Sequence, residues 1–415
     1  MSGWEGKWRP AAMAEVDNNE PVPAGFKGIA FAGIGLSCKM IEPASLSSPS
    51  DWELIVSELT SWGDVPNPES IEVSSLSEDE RGPRAVIRGD CDWLVEFLPW
   101  GSDGLIRKRS TSADSTLISP SGGYSWNGTD VAILWKSMED AVDSRNTISD
   151  SMKSGDLNLT KQLLWSCGES LALYHREVKD SRTTPPDPRR WNARLSVMEE
   201  RLRADLIWRA PHSRDSECML SLGDVRLSDF LEGKVRIRRP RRADALVPSD
   251  CEFPAIRDLA SISHDLSRLH HELNSEFDIV ELRTSMIQGW MSRAPEKWCS
   301  SSVFYTHRGG LAIWEYEQCL LDVLEAVSDQ SGAPEPATGL IRYVKKYQMK
   351  MFNSRIFATL SMMFGALGAI TIIRDVPTSI EGLVIPALFI SGSYILLRFY
   401  WSLSPRPEIP FNLIS

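Results

Sequence analysis

Two charge-free apolar runs near the C-terminal end set the largest-scale pattern in the chain. Ile356–Ile373 (IFATLSMMFGALGAITII) holds 18 residues. As a helix it rises about 27 Å, close to the hydrocarbon thickness of a bilayer. Leu383–Leu397 (LVIPALFISGSYILL) holds 15, and Phe399, Tyr400 and Trp401 extend it past Arg398, whose long side chain can snorkel to an interface. Between them RDVPTSIEG carries Pro377 and Gly382 and reads as a loop joining antiparallel spans. The pattern predicts a transmembrane helical hairpin. A hairpin buried in a soluble core is the alternative, although uncharged runs of this length are rare in soluble helices.

Charge orients the hairpin. Arg342, Lys345, Lys346, Lys350 and Arg355 precede the first run, and Arg398 and Arg406 flank the second. The connecting loop offers only Arg374, opposed by Asp375 and Glu381. The positive-inside rule places both flanks in the cytoplasm, so a multi-pass cell-membrane protein with a cytoplasmic N-terminal domain and C-terminus is expected.

Upstream the periods are shorter. Strand-like segments are Gly28–Ile34, Ile71–Leu76, Arg84–Arg88, Trp93–Leu98, Leu105–Arg109 and Val131–Trp135, separated by turn material such as Arg81-Gly82-Pro83 and Ser121-Gly122-Gly123. One helix, Trp52–Trp62, interrupts them. From about residue 158 the period becomes helical: Leu164, Cys167, Leu171 and His175 share one face, and amphipathic helices are predicted over Arg257–Leu273 and Leu311–Val327. A β-rich half followed by a helical half predicts an α+β fold of two lobes.

Composition adds boundaries. The 415 residues are 42% hydrophobic and 24% charged, which is ordinary for globular domains. Forty-five Lys and Arg against 56 Asp and Glu give a net charge of -11, so no general attraction to nucleic acid is expected. The seven cysteines are scattered without a CxxC pair and read as reduced thiols. Met1–Pro23 shows no pattern of a cleaved signal peptide.

The candidate chemistry lies in the helical half. MLSLGDVRLSDFLEG (Met219–Gly233) and SDCEFPAIRDLA (Ser249–Ala260) bring Asp224, Asp229 and Asp250 into loop-like places within 27 residues. Phosphoryl transfer needs such an inventory, with one carboxylate to orient an attacking hydroxyl and hard oxygen ligands for magnesium. These segments resemble the C-lobe of aminoglycoside phosphotransferase-like and lipopolysaccharide-kinase-like proteins, atypical members of the protein-kinase superfold. LLWSCGESLALYHREV (Leu163–Val178) is similar to the family helix ending in Leu-x-x-Leu-His. SLGDVRLSDFL (Ser221–Leu231) is similar to the His-Gly-Asp-x-x-x-x-Asn catalytic loop, and SDCEFPAIRDLA to the segment with the metal-binding Asp. The resemblance covers roughly residues 130–330. It implies Asp224 as catalytic base, Asp229 and Asp250 as metal ligands, and ATP and Mg2+ as cofactors.

Two positions depart from the family pattern: its His is Leu222 here, removing a group that braces the loop, and its Asn is Asp229. The family's phosphate-contacting lysine is Lys39 or Lys108, and residues alone do not choose between them. His175 reads as a hydrogen-bonded core histidine. The run Arg236, Arg238, Arg239, Arg241 and Arg242 reads as a solvated loop, or near a bilayer as a contact for anionic headgroups.

The expected architecture is therefore a bilobal protein-kinase-like fold followed by a transmembrane hairpin. Residues 1–136 form the N-lobe, 137–335 the C-lobe, 336–355 a basic juxtamembrane segment, 356–403 the hairpin and 404–415 a tail. The expected function is a membrane-anchored phosphotransferase acting on a protein, lipid or glycolipid hydroxyl. The alternatives are a pseudokinase that binds or scaffolds membrane-associated partners, and a membrane-assembly protein with an accidental likeness.

Overall fold

A computed structural model describes residues 6, 8–11, 14–18, 20–33, 35–46, 48–136, 143–181, 185–202, 217–248, 252–304, 310–329, 331–374, 380–403 and 406–414. The N-terminal part begins with an antiparallel three-stranded sheet of β1 (Glu15–Asp17), β2 (Phe26–Phe31) and β3 (Leu36–Ile41). Helix α1 (Pro49–Ser57) follows, with the Asp51 N–H donating to the Ser48 hydroxyl at 3.3 Å, a serine N-cap followed by Pro at the first position. Then come β4 (Thr60–Gly63), β5 (Glu72–Asp79), β6 (Gly82–Arg88), β7 (Asp92–Ser102), α2 (Leu105–Ser112), β8 (Leu117–Ile118), β9 (Gly122–Trp126) and β10 (Thr129–Lys136). Six of these strands make an antiparallel sheet ordered β4-β9-β10-β7-β6-β5. Alternation along the strands gives the sheet two buried faces. Ala85, Ile87, Trp93, Val95 and Leu134 pack with Trp52 and Ile55 of α1. Leu98, Ile133 and Trp135 face the other way, into the core shared with the helical half.

The strands expected at residues 28, 71, 84, 93 and 131 all form, but three local expectations are corrected. Leu105–Arg109 lies in α2 rather than a strand, because Leu, Ile, Arg and Lys suit a helix equally well and tertiary contacts decide. The helix expected over Trp52–Trp62 ends at Ser57, and Thr60–Gly63 pairs with β9. Gly122 and Gly123 belong to β9, not to a turn. A Cβ on Gly122 would lie 2.2 Å from the Asp64 carbonyl oxygen, and one on Gly123 2.6 Å from that of Ala132. They are glycines because neighbouring backbones crowd them.

The helical half contains α3 (Ser144–Lys153), α4 (Leu157–Glu177), α5 (Pro188–Arg201), β11 (Cys218–Met219), β12 (Phe230–Leu231), β13 (Lys234–Arg236), α6 (Arg242–Leu246), β14 (Phe253–Pro254), α7 (Ala255–Glu272), α8 (Ile279–Arg293), α9 (Ser301–Phe304) and α10 (Leu311–Asp329). Helices α4 and α8 cross with backbones in near contact, since a Cβ on Gly168 would sit 2.1 Å from the Met286 carbonyl oxygen. Strand β13 pairs antiparallel with β12 and parallel with β8, joining the two halves through one small sheet.

Two helices close the fold, α11 (Leu340–Arg374) and α12 (Ile380–Leu403). Both are long and apolar enough to cross a membrane. They contain the two apolar runs, with most of those side chains left exposed by the protein. Ser361 and Ser393 exchange hydrogen bonds between them, each hydroxyl donating to the other's carbonyl at 2.8 and 2.7 Å. The start of α11 is docked on the helical half through Leu340, Val344, Tyr347 and Met351.

Beyond α12 the chain returns to that same half. The Arg283 guanidinium donates to the carbonyls of Glu408 at 3.2 Å and Pro407 at 3.3 Å. The Phe411 N–H donates to Glu315 at 3.1 Å. Its ring lies 5.4 Å from that of Tyr316 and 5.3 Å from that of Tyr347. Both ends of the hairpin are thus fixed to one domain. Replacing buried Phe411 by Ala is expected to cost about 3–5 kcal/mol, measured by denaturant unfolding of the detergent-solubilised chain. A loss below about 1 kcal/mol would mean the tail contributes no packing.

Candidate functional site

The loop from Ser221 to Asp229 is held from beneath by one face of α7. Asp258, Ser261 and Asp265 are spaced three and four apart, which aligns them along the helix. The Asp258 carboxylate accepts from the N–H groups of Leu222 at 2.7 Å and Gly223 at 2.8 Å. The Ser261 hydroxyl accepts from the Val225 N–H at 3.0 Å, and Asp265 from the Leu227 N–H at 2.9 Å. His175 on α4 completes the support. The Trp290 indole N–H donates to its Nδ1 at 3.0 Å, which leaves Nε2 to carry the proton toward Asp258 at 3.1 Å. Burial alone would raise the Asp258 carboxyl, but the His175 hydrogen bond and the two amides outweigh it and hold the carboxyl below its ordinary value. His175 is fully buried in this bracing role. The loop is secured through its backbone, so a Leu at 222 leaves it braced.

Arginines surround the carboxylates that this loop presents. Arg81, from the turn between β5 and β6, pairs directly with Asp224. Its other terminal nitrogen donates to the Arg239 carbonyl at 3.1 Å. Arg226 and Arg241 each stand 3.7 Å from the other Asp224 oxygen. Asp229 receives Arg238 at 2.7 Å and the Arg226 N–H at 2.8 Å. Arg239 is buried and donates to Asp79 at 2.5 Å and to the carbonyls of Pro83 and Phe97 at 3.1 Å. Glu96, buried on β7, meets Arg84 at 2.7 Å, Arg236 at 3.4 Å and Arg239 at 3.8 Å, and accepts from the Trp135 indole at 3.0 Å. The Arg236 guanidinium lies over the Trp135 ring, 4.5 Å from its centre. Planar guanidinium groups suit this packing because they pair with carboxylates and stack on rings at once.

The electrostatics follow from that crowding. Burial would raise the Glu96 carboxyl, but Arg239, Arg236 and Arg84 pull it down to about 2. Partial desolvation would raise the exposed Glu80 carboxyl, but Arg226, Arg81 and Arg238 draw it down to about 2. Burial, together with Arg226 and Arg238, pushes the Arg81 guanidinium well below its ordinary value.

Asp224 and Asp229 therefore share one loop, and Asp224 lines a cleft of about 280 Å³ with Trp100, Arg109, Leu222, Arg239 and Phe253. Asp250 lies outside the described residues. Neither candidate lysine joins Asp224 at that cleft. Lys39, on β3, stands 5.7 Å from the centre of the Trp126 ring, and Lys108 is exposed on α2. Among the described residues no three His, Cys, Asp or Glu side chains gather as a metal site. Magnesium and a triphosphate need free carboxylate oxygens and unpaired cations. Among the described residues the loop does not fit a metal ion, because Asp224 and Asp229 each already hold an arginine.

The expectation of a solvated arginine run is corrected as well. Arg239 and Arg241 are 3% exposed and Arg242 6%. Their partners, Asp79, Asp322, Glu325 and Asp329, come from the β5–β6 turn and from α10. The available signal was the acidic run Glu78, Asp79 and Glu80, a counterpart of opposite sign to the basic run.

The Glu96 cluster has a defined pH response. Its carboxyl drops from an ordinary 4.5 to about 2 on folding, so its contribution is complete above pH 4.5 and is lost as pH falls from there toward 2. The shift corresponds to about 3 kcal/mol. Glu96→Gln is expected to be less stable than the parent by a gap that stays constant from neutral pH to about 5 and narrows below it. Unfolding free energies across pH check this; a constant gap down to pH 3 would contradict it.

No family model matches the chain, and no curated protein matches it in sequence. Solved structures do. A crystal form of a glucosamine kinase aligns with a TM-score of 0.50 at 12% identity, over 80% of this chain and 90% of that one. The same enzyme in complex with glucosamine, ADP and inorganic phosphate aligns with a TM-score of 0.50 at 12% identity, over 83% and 95%. The likeness is one of fold: the chain has a kinase-like architecture, rich in sheet in its N-terminal part and helical beyond it.

Proposed function

We propose that this chain is a membrane-tethered pseudokinase, related in architecture to the aminoglycoside phosphotransferase-like and lipopolysaccharide-kinase-like proteins, that binds or scaffolds membrane-associated partners without transferring phosphate. One observation carries the reading: Asp224, which the loop resemblance makes the catalytic base, is paired directly with Arg81. In a protein kinase a glycine-rich turn covers the phosphates, a lysine reaches them from a neighbouring strand, and an Asp and an Asn hold the metal ions. Here the turn above the loop carries Glu80 and Arg81, and the buried face of β7 offers Glu96. The segment leaving β13 carries Arg238 and Arg239, and Asp229 is paired with Arg238. Among the described residues the cleft is lined by arginines and holds no lysine, and Asp224 and Asp229 are both paired. The hairpin would place the domain on the cytoplasmic side, following the basic flanks.

An active ATP- and Mg2+-dependent phosphotransferase is the second reading. The pinned loop and the cleft beside Asp224 favour it, and it requires Arg81 to withdraw. A thermal-shift titration of the full chain in detergent with ATP and Mg2+, beside a phosphate-release assay, separates the two. The pseudokinase reading expects a midpoint shift below about 1 °C and phosphate release no greater than that of Asp224→Asn. A shift of several degrees, with release abolished by Asp224→Asn, would establish the enzyme instead.

A further inference from the structure

Helix α11 has two faces before it becomes apolar. The inner face, Leu340, Val344, Tyr347 and Met351, is buried against the domain. The outer face follows the same helical spacing: Arg342, Lys345, Lys346, Met349, Phe352 and Ile356 stand at i, i+3, i+4, i+7, i+10 and i+14. All six are exposed. Among the described residues, Arg342, Lys345 and Lys346 have no ion pair, in a protein where most arginines are saturated with acids. The stripe therefore grades from three free cations, through Met349 and Phe352, into the uncharged run that begins at Ile356.

We propose that this stripe is a binding surface for the headgroups of anionic phospholipids. The inference rests on reading α11 and α12 as membrane spans. Charge and continuity both name the occupant. The chain carries a net charge of -11, so an acidic bilayer surface would repel the domain without a local cationic face. Lys346 stands about 15 Å along the helix from Ile356. Its stem brings the ammonium to the outer edge of the headgroup layer, with Lys345 and Arg342 behind it in the diffuse layer, where attraction is not fully screened. Met349 and Phe352, nearer the span, meet the interface with apolar surface. Because the inner face of the same turns is packed on the domain, lipid held on the outer face also fixes how the domain sits above the bilayer.

The test reconstitutes the full chain in phosphatidylcholine vesicles containing spin-labelled phosphatidylglycerol or spin-labelled phosphatidylcholine, and compares the motionally restricted fractions. Phosphatidylglycerol is expected to be preferred in the boundary layer, and rising salt should weaken the preference. In the triple variant Arg342→Gln/Lys345→Gln/Lys346→Gln the preference should fall severalfold, on the order of fivefold for each cation that reaches the surface. The thermal midpoint should not change, because all three side chains are exposed. Equal restriction of the two lipids in the parent chain, or an unaltered preference in the variant, overturns the proposal while leaving the spans intact. Release of the chain by alkaline carbonate overturns the spanning reading and the proposal with it. If the variant instead dissociates a dimer without changing lipid preference, the stripe is a self-interface and the proposal fails.

Discussion

A guanidinium can remain charged inside a protein only while acids and carbonyl oxygens replace the water it has lost, and that requirement organises the space between the two halves. Arg81 and Arg239 each reach across from one half to the other. Arg81 leaves the sheet and ends on the loop of the helical part. Arg239 leaves the helical part and ends among carbonyls and Asp79 of the sheet. Removing either partner of such a pair strands a buried charge, so the halves are joined by more than apolar packing. The first of these pairs also occupies Asp224, the acid that the loop presents to the cleft.

The network is anchored on two parallel supports. Helix α7 accepts the backbone amides of the loop and so fixes where Asp224 sits. Helix α10 supplies a ladder of acids. Glu315 holds Arg283, Glu317 holds Arg257 and Arg194, and Asp322 holds Arg241 together with His264. The Asp322 carboxyl, which burial would raise, lies well below its ordinary value because His264 and Arg241 outweigh that cost. One rung of the ladder meets the returning tail at Phe411, and another meets the arginine beside Asp224. The returning tail and the loop thereby share one helix.

Much of this was legible in the sequence wherever the signal was local. The apolar period produced α4, α7, α10 and the two terminal helices, and strand composition produced most of the large sheet. What the sequence left hidden was set by distant partners. Gly122 and Gly123 look like turn residues until Asp64 and Ala132 crowd them. Arg239 looks solvated until Asp79, 160 positions away, receives it. The loop resemblance located Asp224 and Asp229, yet loop spacing carries no information about which cation will stand opposite. Asp250 falls outside the described residues, and His175 was legible as a hydrogen-bonded core histidine, whereas its link through Asp258 to the loop was not.

Because Pro407, Glu408 and Phe411 complete the interior around Arg283 and Tyr316, the hairpin is topologically an insertion within a globular unit rather than an appendage to it. During synthesis the tail leaves the ribosome only after both apolar helices. Completion of the globular core therefore waits for the segment that follows both apolar helices.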